Sequence, residues 1–307
     1  MPFLGAHMSV AGGLPRAIER AVAHDCRALQ IFSKNASQWR GRPLPPEEVH
    51  EFRQRARGAR LHTVVSHASY LINLAAEERT LAERSLEAMR DELDRADALG
   101  LMGVVLHPGC HTASDRAAGL TRVAQRLGGL LDRRGAGGAR ILIEHTAGQG
   151  TSLGACFEEI AAILREAEHH PGLGVCLDTC HLLAAGYDIA TADGYARTFD
   201  SFERVVGLDR LKVFHLNDSK KPVGSRVDRH EHIGKGYVGL GAFERLLNDS
   251  RFAHLPMLLE TPKGAGKATG PISVDPADAQ NLRTLRELMK PRNAFPSRRR
   301  SPPRSSA

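Results

Sequence analysis

Short hydrophobic runs recur along the chain, and each is bounded by polar or turn-forming residues. Uninterrupted runs of this length are typical of strands that are buried on both faces of a parallel sheet, because a half-exposed strand would alternate hydrophobic and polar positions. The predicted strands are Phe3–Ala6, Ala28–Phe32, Thr63–Ser66, Gly103–Leu106, Ile141–Ile143, Gly174–Leu177, Leu211–Leu216 and Pro256–Leu259. We therefore expect eight buried strands.

The longer stretches between these runs predict amphipathic helices. Within Glu77–Leu99, for example, Leu86, Met89 and Leu93 are three or four residues apart, and charged residues fill the other face. The predicted helices are Leu14–His24, Pro46–Gly58, Glu77–Leu99, Ala117–Arg133, Cys156–Glu168, Tyr195–Val206, Ala242–Leu247 and Ala277–Leu288. Eight alternations of strand and helix favour one α/β domain, an eight-stranded parallel (β/α)8 TIM barrel, over a doubly wound sheet, which usually has fewer strands.

The C-terminal segment 291–307 differs from the rest of the chain. It contains five arginines, four prolines and no acidic residue, which predicts a disordered basic tail after a barrel domain at 1–290. The whole chain has a formal net charge of +7, and subtracting the five tail arginines leaves +2. Overall basicity is therefore weak evidence for a nucleic-acid partner.

Cysteine usage and hydropathy bear on the cellular compartment. The five cysteines show no Cys-x-x-Cys spacing, which is typical of incidental thiols in a reducing environment. No segment approaches the run of about 18 apolar residues that a membrane-spanning helix needs. We expect a cytoplasmic protein that does not bind membranes.

Histidine and acidic residues stand at the ends of six predicted strands and in the long connection after the seventh. They are His67, His107, Glu144, Asp178, His181, His215, Asp228, His230 and Glu260. The carboxyl ends of barrel strands converge on one face, so these side chains should meet. Nine ionisable groups in one pocket would be unfavourable without cations. Five imidazoles with four carboxylates suit two or three Zn, Mn or Fe(II) ions better than Ca or Mg.

The motifs that contain these residues resemble those of the endonuclease IV family, the metal-dependent abasic-site endonucleases also called AP endonuclease family 2. The matching segments are 5–9, 32–35, 66–74, 106–109, 143–150, 177–181, 215–220, 228–234 and 259–262. The resemblance extends from Pro2 to Met289 and includes every candidate ligand.

The resemblance implies a TIM barrel with three zinc ions, of which one site could instead hold Mn²⁺ or Fe²⁺. The implied partition is His67, His107 and Glu144 for the first ion; Asp178, His215, Glu260 and the shared Glu144 for the second; and His181, Asp228 and His230 for the third. Glu144 and Glu260 are the expected catalytic residues. No serine or cysteine nucleophile is needed, because a hydroxide that bridges two zinc ions can attack phosphorus.

The implied substrate is double-stranded DNA with an abasic site or a blocked 3′ end. The phosphodiester 5′ to the abasic site would be hydrolysed to leave a 3′-hydroxyl, blocked 3′ ends would be trimmed, and the enzyme would be a monomer. Tyr70 and Leu71 are expected to form an apolar wedge. The candidate backbone contacts are Lys34, Asn35, Trp39, Lys220, Arg226 and Arg229.

Three positions depart from the usual family residues. Ser37 replaces an arginine, His145 replaces an asparagine and Lys235 replaces an acid. None of the three is a candidate ligand, so they bear on substrate affinity and preference rather than on the metal site.

Two other classes of protein stay open. A sugar isomerase or epimerase on the same barrel would also have a metal site at the strand ends, but with one or two ions and no need for His181, Asp228 and His230 as a third group. A DNA-binding module without enzymatic activity would explain basic charge but not nine converging ligands.

Overall fold

The structure is a computed structural model that describes residues 1–112, 115–134, 137–264 and 274–290. The predicted tail at 291–307 lies outside these residues. The strands are β1 (Phe3–His7), β2 (Ala28–Phe32), β3 (Thr63–His67), β4 (Gly103–Leu106), β5 (Arg140–Glu144), β6 (Leu173–Asp178), β7 (Leu211–Leu216), β8 (Asp218–Ser219), β9 (His230–Glu231) and β10 (Pro256–Leu259). Eight of them close a parallel barrel in the order β1-β10-β7-β6-β5-β4-β3-β2, and β8 pairs with β9 outside it. The predicted TIM barrel is confirmed.

Helices surround the barrel. Within the described ranges they are α1 (Leu14–Ala23), α2 (Pro46–Gly58), α3 (Arg79–Leu99), α4 (Arg116–Asp132), α5 (Phe157–Glu166), α6 (Thr179–Ala185), α7 (Ala192–Val205), α8 (Leu240–Asn248) and α9 (Pro276–Leu288). The predicted helices agree with eight of these to within three residues at each end. In this part of the chain, no helix combines the length and the hydropathy needed to cross a membrane.

The short helix α6 is absent from the sequence prediction. It begins directly after β6, and the side chain of Asp178 caps it by accepting a hydrogen bond from the backbone N–H of His181 (3.0 Å). Six of its seven residues are buried, so it lacks the polar face that marks an amphipathic helix. The tight junction brings Asp178 and His181 to the same end of the barrel.

A layer of small and branched side chains fills the barrel interior. It consists of Ala28, Val65, Val105, Leu142, Cys176, Val213 and Leu258. Side chains in a strand alternate between its two faces, so the residue two positions further along points into the barrel as well. For six of these seven strands that residue is a predicted metal ligand, from His67 after Val65 to Glu260 after Leu258. The strand geometry itself therefore stacks the ligands directly above the apolar layer.

Gly5 in β1 is needed for close packing between two strands. A Cβ atom at this position would overlap the backbone carbonyl of Ala28 in β2, which cannot move without parting the strands. We expect Gly5→Ala to lower the free energy of unfolding by about 3 kcal/mol. The matched control is Gly129→Ala in the exposed face of α4, where a Cβ meets nothing within 4 Å. It should raise stability by about 1 kcal/mol. Urea denaturation measures both, and equal midpoints would contradict the packing argument.

Candidate metal centre

The first group of ligands consists of His67, His107 and Glu144. The Nε2 atoms of His67 and His107 lie 3.2 and 3.1 Å from the same oxygen, Oε2 of Glu144. Each residue presents one ligand atom, and the three atoms all lie within 4.8 Å of one another. Two imidazoles and a carboxylate at this spacing can surround a single cation.

The second group shares Glu144 with the first. The Nδ1 atom of His215 lies 3.0 Å from Oε1 of Glu144, 3.1 Å from Oε2 of Glu260 and 4.0 Å from Oδ2 of Asp178. Glu144 thus faces the first group with one carboxylate oxygen and the second group with the other. This is the arrangement that a carboxylate adopts when it bridges two cations.

The third group combines α6 with the connection between β8 and β10. The Nε2 atoms of His181 and His230 each lie 3.2 Å from a different oxygen of Asp228. Both nitrogens are buried and make no hydrogen bond among the described residues. Buried imidazole nitrogens that make no hydrogen bond and face carboxylate oxygens suit a shared cation, so these residues fit a metal. Asp178 also approaches this group, with Oδ2 3.7 Å from Nε2 of His230.

The electrostatics of the centre lower the pKa of three of its carboxyl groups, those of Glu144, Asp228 and Glu260. Burial raises the pKa of Glu144, but the charges of His215 and His107 outweigh burial and hold this pKa well below its ordinary value. Burial lowers the pKa of His230, whereas Asp178 and Asp228 raise it, to about 9. The ionised carboxylates of Glu144, Asp228 and Glu260 therefore create a field that draws positive charge into the site, which metal cations can supply.

Gln30 is a buried part of the centre that the sequence analysis missed. Its Oε1 accepts a hydrogen bond from Nε2 of His215 (2.9 Å), which leaves Nδ1 of that ring facing the carboxylates. Its amide nitrogen donates to Glu260 and lies 3.0 Å from Nδ1 of His7. Gln30 follows Ala28 by two residues, so it occupies the same inward-facing layer as the ligands.

Two further residues orient ligands from outside the metal groups. Asn217 donates its amide hydrogen to Asp178 and accepts the backbone N–H of Glu260 (2.9 Å), which ties two ligands together. The carbonyl of His145 accepts from Nδ1 of His181 (2.8 Å) and turns Nε2 of that ring towards Asp228. The His145 ring is itself neutral, since burial and then the charge of His181 lower its pKa to about 3.

A cleft of about 390 Å³ opens beside the first and third groups. Tyr70 stands at its rim, 66% exposed, with its ring 5.4 Å from the ring of His67. Arg229 lines the cleft, and Leu71 is half-buried next to Tyr70. Lys220 and Arg226 lie in the same connection as Arg229, and both of their side chains are exposed. The rim therefore presents one exposed aromatic ring, that of Tyr70, and one cation, that of Arg229, next to the candidate ligands.

The loop after β2 corrects one expectation. Lys34 does not reach the surface, because its side chain is 1% exposed and its Nζ lies 2.6 Å from Asp91 and 3.5 Å from Glu92. The ammonium fastens the loop to α3 and is not available to a phosphate. Asn35 is exposed, and the ring of Trp39 is covered by the guanidinium of Arg84, which lies 4.5 Å from the ring centroid.

Comparison with known proteins first defines the class. Residues 18–290 match the family described as xylose isomerase-like TIM barrel, in agreement with the closed eight-stranded barrel. D-psicose 3-epimerase from Clostridium cellulolyticum H10 has the same fold, with a TM-score of 0.65 and 14% identity over 93% of this chain and 97% of that one.

Closer relatives define the family. A protein named "Probable endonuclease 4" from Chloroflexus aurantiacus is 48% identical over 94% of this chain and 99% of its own. The structure of endonuclease IV from Thermus thermophilus has a TM-score of 0.81 and 39% identity, and covers 94% of this chain and 98% of that one. The chain belongs to the endonuclease IV family, whose members are metal-dependent.

The burial of Lys34 can be tested through stability. Lys34→Met leaves the buried Glu92 without its cation, so we expect it to lower the free energy of unfolding by about 3 kcal/mol. The control is Lys220→Met, which removes an exposed cation and should change stability by less than about 0.5 kcal/mol. Urea denaturation distinguishes them. Full stability in Lys34→Met would show that this lysine does not anchor the loop.

Proposed function

We propose that the protein hydrolyses the phosphodiester 5′ to an abasic site in double-stranded DNA and leaves a 3′-hydroxyl. Trimming of blocked 3′ ends follows from the same chemistry. The observation that carries the proposal is the two-sided contact of Glu144 with separate groups of histidines, together with a third group beside them. Membership of the endonuclease IV family supports the choice of substrate.

Three zinc ions are the proposed cofactors. His67, His107 and Glu144 would hold one; Glu144, Asp178, His215 and Glu260 a second; and His181, Asp228 and His230 the third. When bound, the ions lower the pKa of water and offset the negative charge that develops on the phosphate. Four carboxylates against three divalent cations leave a formal charge of about +2, which favours a phosphate in the cleft.

The chain's own residues fix where the reaction takes place. Glu144 and Glu260 lie at the inner face of the barrel, and the strands that carry them cannot shift without breaking ladder hydrogen bonds. Gln30 holds both Glu260 and His215 through its side-chain amide. A site built on strands in this way keeps its ligands in place when a large substrate binds.

Selection of an abasic site is assigned to the rim. Tyr70 is the exposed wedge, and Leu71 lies beside it. The two side chains can enter the base stack where a base is missing, because less stacking free energy is lost there than in intact DNA. Lys220, Arg226 and Arg229 would contact the backbone of the bent duplex. Asn35 and Trp39 stay as proposed contacts from the loop after β2, and Lys34 is left out because it is buried.

The likeness to sugar epimerases concerns the fold alone. A sugar epimerase acts on a small sugar, whereas this centre has a third group of candidate ligands and a rim with the exposed ring of Tyr70 and the cation of Arg229. A ketohexose assay run beside the nuclease assay separates the two functions, and we expect no epimerisation.

Cleavage of a duplex that contains one abasic site tests the proposal. We expect the purified protein to cut 5′ to the lesion, to lose this activity with a chelator and to regain it with zinc. Glu144→Gln should lower the rate by about a hundredfold or more, because it weakens two metal groups at once, while DNA binding persists. The control is Glu87→Gln, since Glu87 is exposed on α3 and pairs with Arg40 at the surface. Cleavage that resists both the chelator and Glu144→Gln would contradict the proposal.

A further inference from the structure

We propose that Asp218 is a positioning residue that shapes the connection 228–239 and thereby places Asp228 and His230. Neither of these two ligands stands on a barrel strand, so their positions need an explanation that the barrel does not supply. The inference rests on the proposed function only in treating Asp228 and His230 as metal ligands.

Asp218 is fully buried just after β7, and both of its carboxylate oxygens accept backbone hydrogen bonds. Oδ1 accepts the N–H groups of Ser219 (2.8 Å), Val238 (2.8 Å) and, at longer range, Gly239 (3.4 Å). Oδ2 accepts the N–H of Gly234 (2.9 Å). One side chain thus satisfies three amides of the connection and sets its path.

The pairing of β8 with β9 links the backbone beside Asp218 to the candidate ligand His230. Asp218 lies opposite Glu231, and Ser219 lies opposite His230. The His230 ring is then oriented by a contact of 3.1 Å between its Nδ1 and the carbonyl of Glu260, which leaves Nε2 for Asp228 and a metal. His230 pairs with Ser219, the residue next to Asp218. A change in the hydrogen bonds of Asp218 should therefore move His230.

Two features show how closely the connection fits around Asp218. A Cβ atom at Gly236 would collide with Asp218 and with the carbonyl of Ser219, so only glycine fits there. From α9, Asn281 accepts the N–H of Ile233 (3.1 Å) and donates to Thr261 (2.9 Å). Protein groups other than the candidate metal ligands therefore hold the connection at several points.

Asp218→Asn tests the role with little change in shape. An amide offers one acceptor oxygen in place of two and points hydrogens at N–H groups, so at least the bond to Gly234 or the bonds to Val238 and Gly239 must break. We expect hydrogen exchange in segment 228–233 to become about tenfold faster. None of the amides in that segment donates to Asp218 in the structure. Zinc binding at the third group should weaken by about tenfold or more, measured by competition with a chelator.

Comparison with His230→Ala separates positioning from ligation. His230→Ala should lose the same zinc ion and keep the exchange protection of segment 228–233, and the wild-type chain should keep that protection after chelation. Asp209→Asn is the matched control, because its side chain is 81% exposed and it precedes β7, outside the connection. Leu246→Ala, which removes a buried side chain from α8, controls for general destabilisation and should not affect this segment selectively.

Two outcomes would overturn the inference. The first is exchange in the chelated wild-type chain as fast as in Asp218→Asn, which would mean that metal and not Asp218 orders the connection. The second is unchanged exchange and zinc affinity in Asp218→Asn. If that variant does not fold, Gly236→Ala, which displaces Asp218 by collision, should give the same local pattern. The exchange measurements need no nuclease activity, so failure of the proposed function would be seen separately in the DNA assay.

Discussion

The ionised carboxylate of Glu144 is the group around which this molecule is arranged. It is fully buried at the carboxyl end of the barrel, where an isolated charge would cost several kcal/mol. His67 and His107 approach one of its oxygens and His215 the other. These histidines hold its pKa well below the ordinary value, and the same side chains are the proposed ligands of a cation on each side of the carboxylate.

Side chains along a strand alternate between its two faces. This alternation explains how most candidate ligands come to face the barrel interior, and why the sequence could predict them. Hydrophobic runs located all eight barrel strands. Histidine and acidic residues at the ends of six strands marked the candidate ligands, because six such coincidences are improbable, and the structure brings these side chains together. Gln30 lies in the same layer but escaped notice, since an amide has no charge to signal a site. Lys34 was wrongly predicted to contact DNA, because the sequence does not show that Asp91 and Glu92 on α3 face it. Helix α6 was not predicted, because it lacks the polar face by which an amphipathic helix is recognised.

The third group is organised differently from the first two. Its ligands Asp228 and His230 lie on a connection that is outside the barrel, and Asp218 and Asn281 hold the backbone of that connection. Proteins with the same fold and low identity, such as the sugar epimerase, share the barrel and not necessarily its connections. The fold thus supplies a layer of inward-facing candidate ligands, and the connection after β7 adds Asp228 and His230 beside it.

Anomalous diffraction at the zinc edge, from crystals of the purified full-length chain, tests the central claim most directly. The account predicts three anomalous peaks, two of them within about 2.2 Å of different oxygens of Glu144 and the third among His181, Asp228 and His230. A single peak, or peaks that leave Glu144 without a metal on either side, would contradict it.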